Sequence, residues 1–89
     1  MSFNRAELDS KIREFFLETF MMQNEGEPAP DLTEETVLLE TGLDSLGFAI
    51  LVTRLEEELG FDPFSLASEP FYPRTLREFV DFYTAHAPQ

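Results

Sequence analysis

Residues 42–60 read Gly42-Leu43-Asp44-Ser45-Leu46-Gly47-Phe48-Ala49-Ile50-Leu51-Val52-Thr53-Arg54-Leu55-Glu56-Glu57-Glu58-Leu59-Gly60. Phe48, Leu51, Val52, Leu55 and Leu59 recur at three- and four-residue intervals, the apolar stripe of an α-helix with one buried face. The helix is predicted to begin at Asp44 or Ser45 and to end at Gly60, which suits a left-handed C-terminal cap. Leu46 and Ile50, four apart, fall on a different face together with Thr53, Arg54 and Glu57. The core stripe does not need that second apolar pair, so these five residues are predicted to form a free face. Ser45 stands where a glycine-containing turn meets the helix start. The first N–H groups of a helix are unpaired and its dipole is positive there, so a phosphate esterified to this hydroxyl would sit in a favourable field.

Working outward, Asn4 and Glu7 have the spacing of a capping box, and Phe3 and Leu8 that of a hydrophobic staple. Leu8, Ile12, Phe15, Phe16 and Phe20 then mark one face of a helix over about residues 5–22, stopped by Asn24, Gly26, Pro28 and Pro30. Met21 and Met22 are expected to pack at its end. Residues 24–43 form a connection longer than most loops inside small domains. Its Leu32, Val37, Leu38, Leu39 and Leu43 predict a loop docked on the core rather than a free linker. Beyond Gly60, Asp62-Pro63 reads as an N-cap followed by proline at the first helical position, predicting a short helix over about residues 63–67 before Pro70. Thr75 and Glu78 open a last helix whose buried face is Leu76, Phe79, Val80 and Tyr83, closed by Pro88. No segment has useful strand periodicity and nothing repeats. The reading is all-α, one domain over residues 1–89, with three main helices and one short one.

Composition narrows the functions available. Ten Phe and 43% apolar residues are too many for a disordered chain, although a domain of 89 residues buries only a little more than about 60% of its unfolded surface. With no cysteine there is no disulfide frame and no thiolate metal site, and any thiol chemistry must be imported on a cofactor. Six Lys and Arg against eighteen Asp and Glu exclude a nucleic-acid binder. The net charge of −12 is concentrated around Ser45, with about −10 falling in residues 23–62. No twelve-residue calcium loop is present, and no metal ligand is assigned. No basic leader and no stretch of membrane-spanning length is read, which makes the cytoplasm the expected compartment.

Asp44-Ser45-Leu46, preceded by Gly42 and followed by a Leu-, Val- and Glu-rich helix, resembles the prosthetic-group attachment motif of acyl carrier proteins. The long acidic first loop, the Glu56-Glu57-Glu58 run, the short third helix and the terminal amphipathic helix have counterparts there in the same order. The resemblance implies a four-helix bundle carrying 4′-phosphopantetheine on Ser45, flanked by Asp44 and Leu46. It implies installation from coenzyme A by a phosphopantetheinyl transferase, with acyl groups held as thioesters on the arm. It also implies a monomer, not itself an enzyme, that serves acyl ligases, acyltransferases or ketosynthases of fatty-acid, polyketide or related lipid biosynthesis. Two departures bear on partners. Gly47 and Ile50 occupy positions that are commonly acidic in bacterial fatty-acid carriers, and Arg54 adds a positive charge to the same face, which suggests a specialised carrier.

Two other readings compete. Ser45 with His86 would make a nucleophile and base, but there is one histidine, no nucleophile-elbow glycine pattern and little chain to shape a cleft. A small acidic helical adaptor without a prosthetic group would dock a partner through the Leu46/Ile50 face. The concentrated acid also predicts that residues 23–43 open first and that cations stabilise the fold.

Overall fold

Asn4 starts the first helix by accepting a hydrogen bond at Oδ1 from the Glu7 backbone N–H at 2.8 Å. Its Nδ2 donates to Glu7 Oε1 at 3.0 Å, so the capping box closes side chain to side chain. In the computed structural model, which describes residues 3–88, this helix α1 spans Arg5–Gln23. Met1, Ser2 and Gln89, the outermost positions of the expected domain, lie outside the described residues. Leu8, Ile12, Phe16 and Phe20 are buried as the periodicity requires, and Phe15 is half-buried. Phe3 lies 5.7 Å from Phe61, ring centre to ring centre.

Helix α2 is Ser45–Leu59, with Asp44 as N-cap and Gly60 as a left-handed C-cap at φ 85°. Helix α3 is the single turn Pro63–Leu66, capped by Asp62, and α4 is Leu76–His86, capped by Thr75 Oγ1. The carboxylate of Glu78 returns to the Arg74 N–H at 2.9 Å, one residue before the cap. α1 packs against both α2 and α4, and α3 packs against α4. Leu51, Leu55 and Leu59 of α2 meet the α1 stripe and Leu76, Phe79, Val80 and Tyr83 of α4 in one core. Phe82, absent from the predicted face, is buried too, because α3 and the segment after it bring Phe64 and Phe71 over it at 4.9 and 4.5 Å. Among the described residues there is no strand, only an isolated bridge between Val37 and Thr75.

That bridge belongs to a tether that the sequence pattern does not reveal. Leu38 N–H donates to Arg74 O, Leu76 N–H to Thr36 O, and Arg77 N–H to Glu34 O. Arg5 reaches Glu34 and Asp81, each at 2.7 Å, while Arg77 holds Glu34 at 3.2 Å and Glu35 at 2.7 Å. Leu38 and Leu43 are fully buried, and Leu38 heads a 3-10 turn, Leu38–Glu40. The loop therefore docks as expected, with one correction. Leu39 faces outward, because a tight turn between two buried anchors cannot bury every successive side chain. The segment expected to open first, residues 23–43, divides in two: residues 32–43 are held from both sides, whereas most of 24–31 is exposed.

Met21 and Met22 do not pack. They are 46% and 68% exposed, because the buried stripe of α1 has rotated past them to Phe20 and the loop leaves in another direction.

Candidate functional site

Asp44 accepts the Gly47 N–H at 2.8 Å through Oδ1, and its backbone carbonyl accepts the Phe48 N–H at 2.9 Å. These two bonds fix where α2 starts, and loss of such a cap costs about 1 kcal/mol. They place Ser45 as the first helical residue with its side chain exposed, and Gly42 at φ 111° turns the chain into the cap. Gly42 approaches Phe20 closely: a Cβ there would stand 3.0 Å from the ring.

Gly47 has a structural task that its sequence position conceals. It is buried where the end of α1 meets the start of α2, and a Cβ would lie 2.7 Å from Leu43 Cδ1, 2.9 Å from Gln23 Cδ and closer still to Gln23 Oε1. An acid at this position would have to displace that contact, which accounts for its absence in physical terms. The Gln23 Oε1 so enclosed has no hydrogen-bond partner among the described residues.

Beside Ser45 runs an open apolar groove of about 460 Å³. One wall is α2, with Phe48, Ala49 and Val52; the other is Phe64 of α3 with Phe71, Tyr72 and Pro73 of the following segment; Leu39 and Ser45 complete the rim. Phe48 and Val52 were expected in the core stripe. They are half-buried instead, facing core on one side and groove on the other. Sequence reading missed Leu39, Phe71, Tyr72 and Pro73 as site residues. The signal was the cluster of large apolar residues in an aperiodic stretch, Leu66, Phe71 and Tyr72, which the fold leaves at 59%, 38% and 87% exposure.

The predicted free face is exposed in part. Leu46, Thr53 and Glu57 are exposed and Ile50 is half-buried, with Ala49, Ile50, Thr53 and Arg54 bordering a shallow depression. Arg54 corrects the reading of this face. Its guanidinium turns to α1, pairing with Glu18 at 2.8 Å, donating to Thr19 Oγ1 at 3.2 Å and lying 5.2 Å over the Phe15 ring. Its charge is largely satisfied within the molecule, because a long side chain at a helix–helix seam gains more from a carboxylate and an aromatic face than from solvent.

His86 is not among the residues lining the groove. Its Nδ1 is 3.0 Å from Phe82 O, one turn back in its own helix, and its ring lies 4.7 Å from that of Phe82. A histidine in the last turn of α4 thus serves a late carbonyl, as helix ends favour. Among the described residues no group of three or more His, Cys, Asp or Glu side chains could hold a metal ion, and no helix is long and apolar enough to cross a membrane. Tyr83, fully buried with its hydroxyl unpartnered among the described residues, has its phenol held far above the ordinary range by desolvation, with Asp62 and Glu56 adding to the effect.

Residues 11–70, more than half of the chain, match the family model described as the phosphopantetheine attachment site. No curated protein and no solved structure matches the chain significantly.

Proposed function

Because the chain belongs to the phosphopantetheine-attachment-site family, whose domains carry 4′-phosphopantetheine covalently, we propose that the attachment atom is Ser45 Oγ. The observation that carries this is the pairing of an exposed serine hydroxyl at the first position of α2 with an apolar groove opening beside it. The residues fit the group on both counts. A phosphodiester on Oγ would lie at the positive end of a fifteen-residue helix. Asp44 spends its carboxylate on the Gly47 N–H, so the helix start is already ordered before anything is attached.

The arm supplies a terminal thiol on which an acyl group is held as a thioester. The chain's own residues do the rest: Ser45 anchors, Asp44 and Gly47 set the anchor's direction, and the groove offers apolar cover to a cargo that would otherwise meet water. Domains of this kind are not themselves catalytic and interact with phosphopantetheinyl transferases and acyl-handling enzymes. We assign the chain the carriage of acyl intermediates between an acyl ligase, acyltransferase or ketosynthase and its successors in fatty-acid, polyketide or related lipid synthesis, as a cytoplasmic monomer. Leu46, Ile50, Thr53 and Glu57 form the face offered to those enzymes, with Arg54 shaping its edge from its seat on α1. Among the described residues Glu40, Glu56 and Glu57 form no ion pair, leaving negative charge to steer a basic partner.

The test is intact mass after incubation with coenzyme A and a broad-specificity transferase, followed by peptide mapping. One phosphopantetheine mass on the peptide containing Ser45, lost in Ser45→Ala with helical content unchanged, is the expected result. Modification that survives in Ser45→Ala overturns the assignment, and absence of modification in the native chain favours the adaptor reading.

A further inference from the structure

From the rings that wall the groove we infer that the cargo is an acyl group bearing an aromatic ring, held between Phe48 on one side and Phe64, Phe71 and Tyr72 on the other. This rests on Ser45 being the attachment residue and deepens that reading by naming the substrate class.

The walls are flat and fixed. Phe48 lies 5.3 Å from Phe79, and Phe64 and Phe71 lie 4.9 and 4.5 Å from Phe82, so these three groove rings are each seated on a buried ring, while Tyr72 stands out from the wall. Phe48 and Phe64 meet edge to face at 6.3 Å across the floor. Below them Leu51, Leu55 and Phe79 of the core are fully buried. What remains is a shallow, ring-lined trough whose outer lip, Tyr72, is 87% exposed. A saturated chain laid there gains only the burial of its area. An aromatic ring gains that burial and also edge-to-face or offset contacts with the quadrupoles of the surrounding rings. A greasy trough for alkyl chains needs no such selection; Leu, Ile and Met line it equally well and adapt better to a flexible cargo.

The discriminating pair is 3-phenylpropanoyl and 3-cyclohexylpropanoyl, which share chain length and thioester electronics and differ in the ring alone, flat and aromatic in one, puckered and saturated in the other. Each is loaded onto the full chain from its coenzyme A thioester by the same transferase, and intact mass establishes equal loading. Cyclohexyl is the more apolar ring, so burial by itself favours it. The melting temperature of the phenyl form is expected to exceed that of the cyclohexyl form by about 4 °C, the shift that one or two ring contacts produce in a domain of this size. The methyl resonances of Val52 and Ala49, which line the groove, are expected to move with the phenyl ring current. Tyr72→Leu, at an exposed position that cannot unfold the domain, should cut the phenyl advantage by half or more, and Phe71→Leu should do the same. Equal melting temperatures, a cyclohexyl advantage, or a phenyl advantage untouched in both variants overturns the aromatic assignment while equal loading leaves Ser45 standing. Failure of both thioesters to load at Ser45 overturns the attachment reading and this one with it.

Discussion

Replacing Gly47 by Ala tests how the site is built. In a helix, Ala is favoured over Gly by about 0.8–1.0 kcal/mol, so propensity alone predicts a more stable protein. Packing argues the other way. The new Cβ would stand 2.7 Å from Leu43 Cδ1 and 2.9 Å from Gln23 Cδ, with Gln23 Oε1 nearer. Gln23 is the end of a flexible side chain and can swing away; Leu43 is fully buried and cannot move without disturbing the core. Overpacking of this kind costs about 1–3 kcal/mol. The two effects together leave Gly47→Ala about 1 kcal/mol less stable, a fall of about 4–8 °C in melting temperature for a domain of this size. A double-mutant cycle isolates the cause. Gln23→Ala removes an oxygen with no hydrogen-bond partner and should cost little by itself. Combined with Gly47→Ala it should recover part of the loss, with a coupling of at least about 0.5 kcal/mol. Thermal and urea unfolding of the four proteins measure it. A Gly47→Ala variant more stable than the parent, or strict additivity with Gln23→Ala, would refute the claim that close approach of α1 dictates glycine here.

Other expectations concern the loop, its charges and the free face. Glu34 has its carboxyl held below the ordinary value of 4.5, first by its hydrogen bond to Arg5 and then by that to Arg77. A depressed folded-state pKa contributes stability above the unfolded value and loses it as pH falls through the folded one. The melting-temperature gap between parent and Glu34→Gln should therefore be constant near neutrality and close as pH drops below about 4.5; a gap that persists in acid means that the ion pairs do not produce it. Hydrogen exchange should be fastest over residues 24–31 and slow at the Leu38 and Leu76 amides, which donate across the tether; equal protection along residues 24–43 would contradict the two-part loop. Millimolar magnesium should raise the melting temperature by screening unpaired carboxylates, and an unchanged melt would show that the intramolecular pairs already suffice. Ile50→Glu should cost about 1 kcal/mol, because Ile50 is half-buried, while slowing transfer to a partner that docks on the Leu46/Ile50 face; cooperative unfolding of the variant would place Ile50 in the core.

The local grammar of the chain determined the helices. Asn4, Asp44, Asp62 and Thr75 each cap the element they were expected to start, and Gly60 ends α2 in the left-handed conformation. Caps and apolar stripes are legible because both partners of each interaction lie within about four residues of one another. The same locality made Asp44-Ser45-Leu46 readable as a helix start, and with it the family. What the tertiary structure alone decided is everything whose partners are distant in sequence. The groove is assembled from Leu39, from Phe48 and Val52, from Phe64 and from Phe71 to Pro73, four segments with no shared period. Arg54 finds Glu18, thirty-six residues away, and so withdraws its charge from the face that its helical position assigned to it. Gly47 looks like a departure from an acidic pattern until Gln23 and Leu43 are placed against it. Periodicity tells a residue which side of its own helix it occupies, but not what stands opposite, and that second fact fixes how much room, charge and solvent each side chain of this site receives.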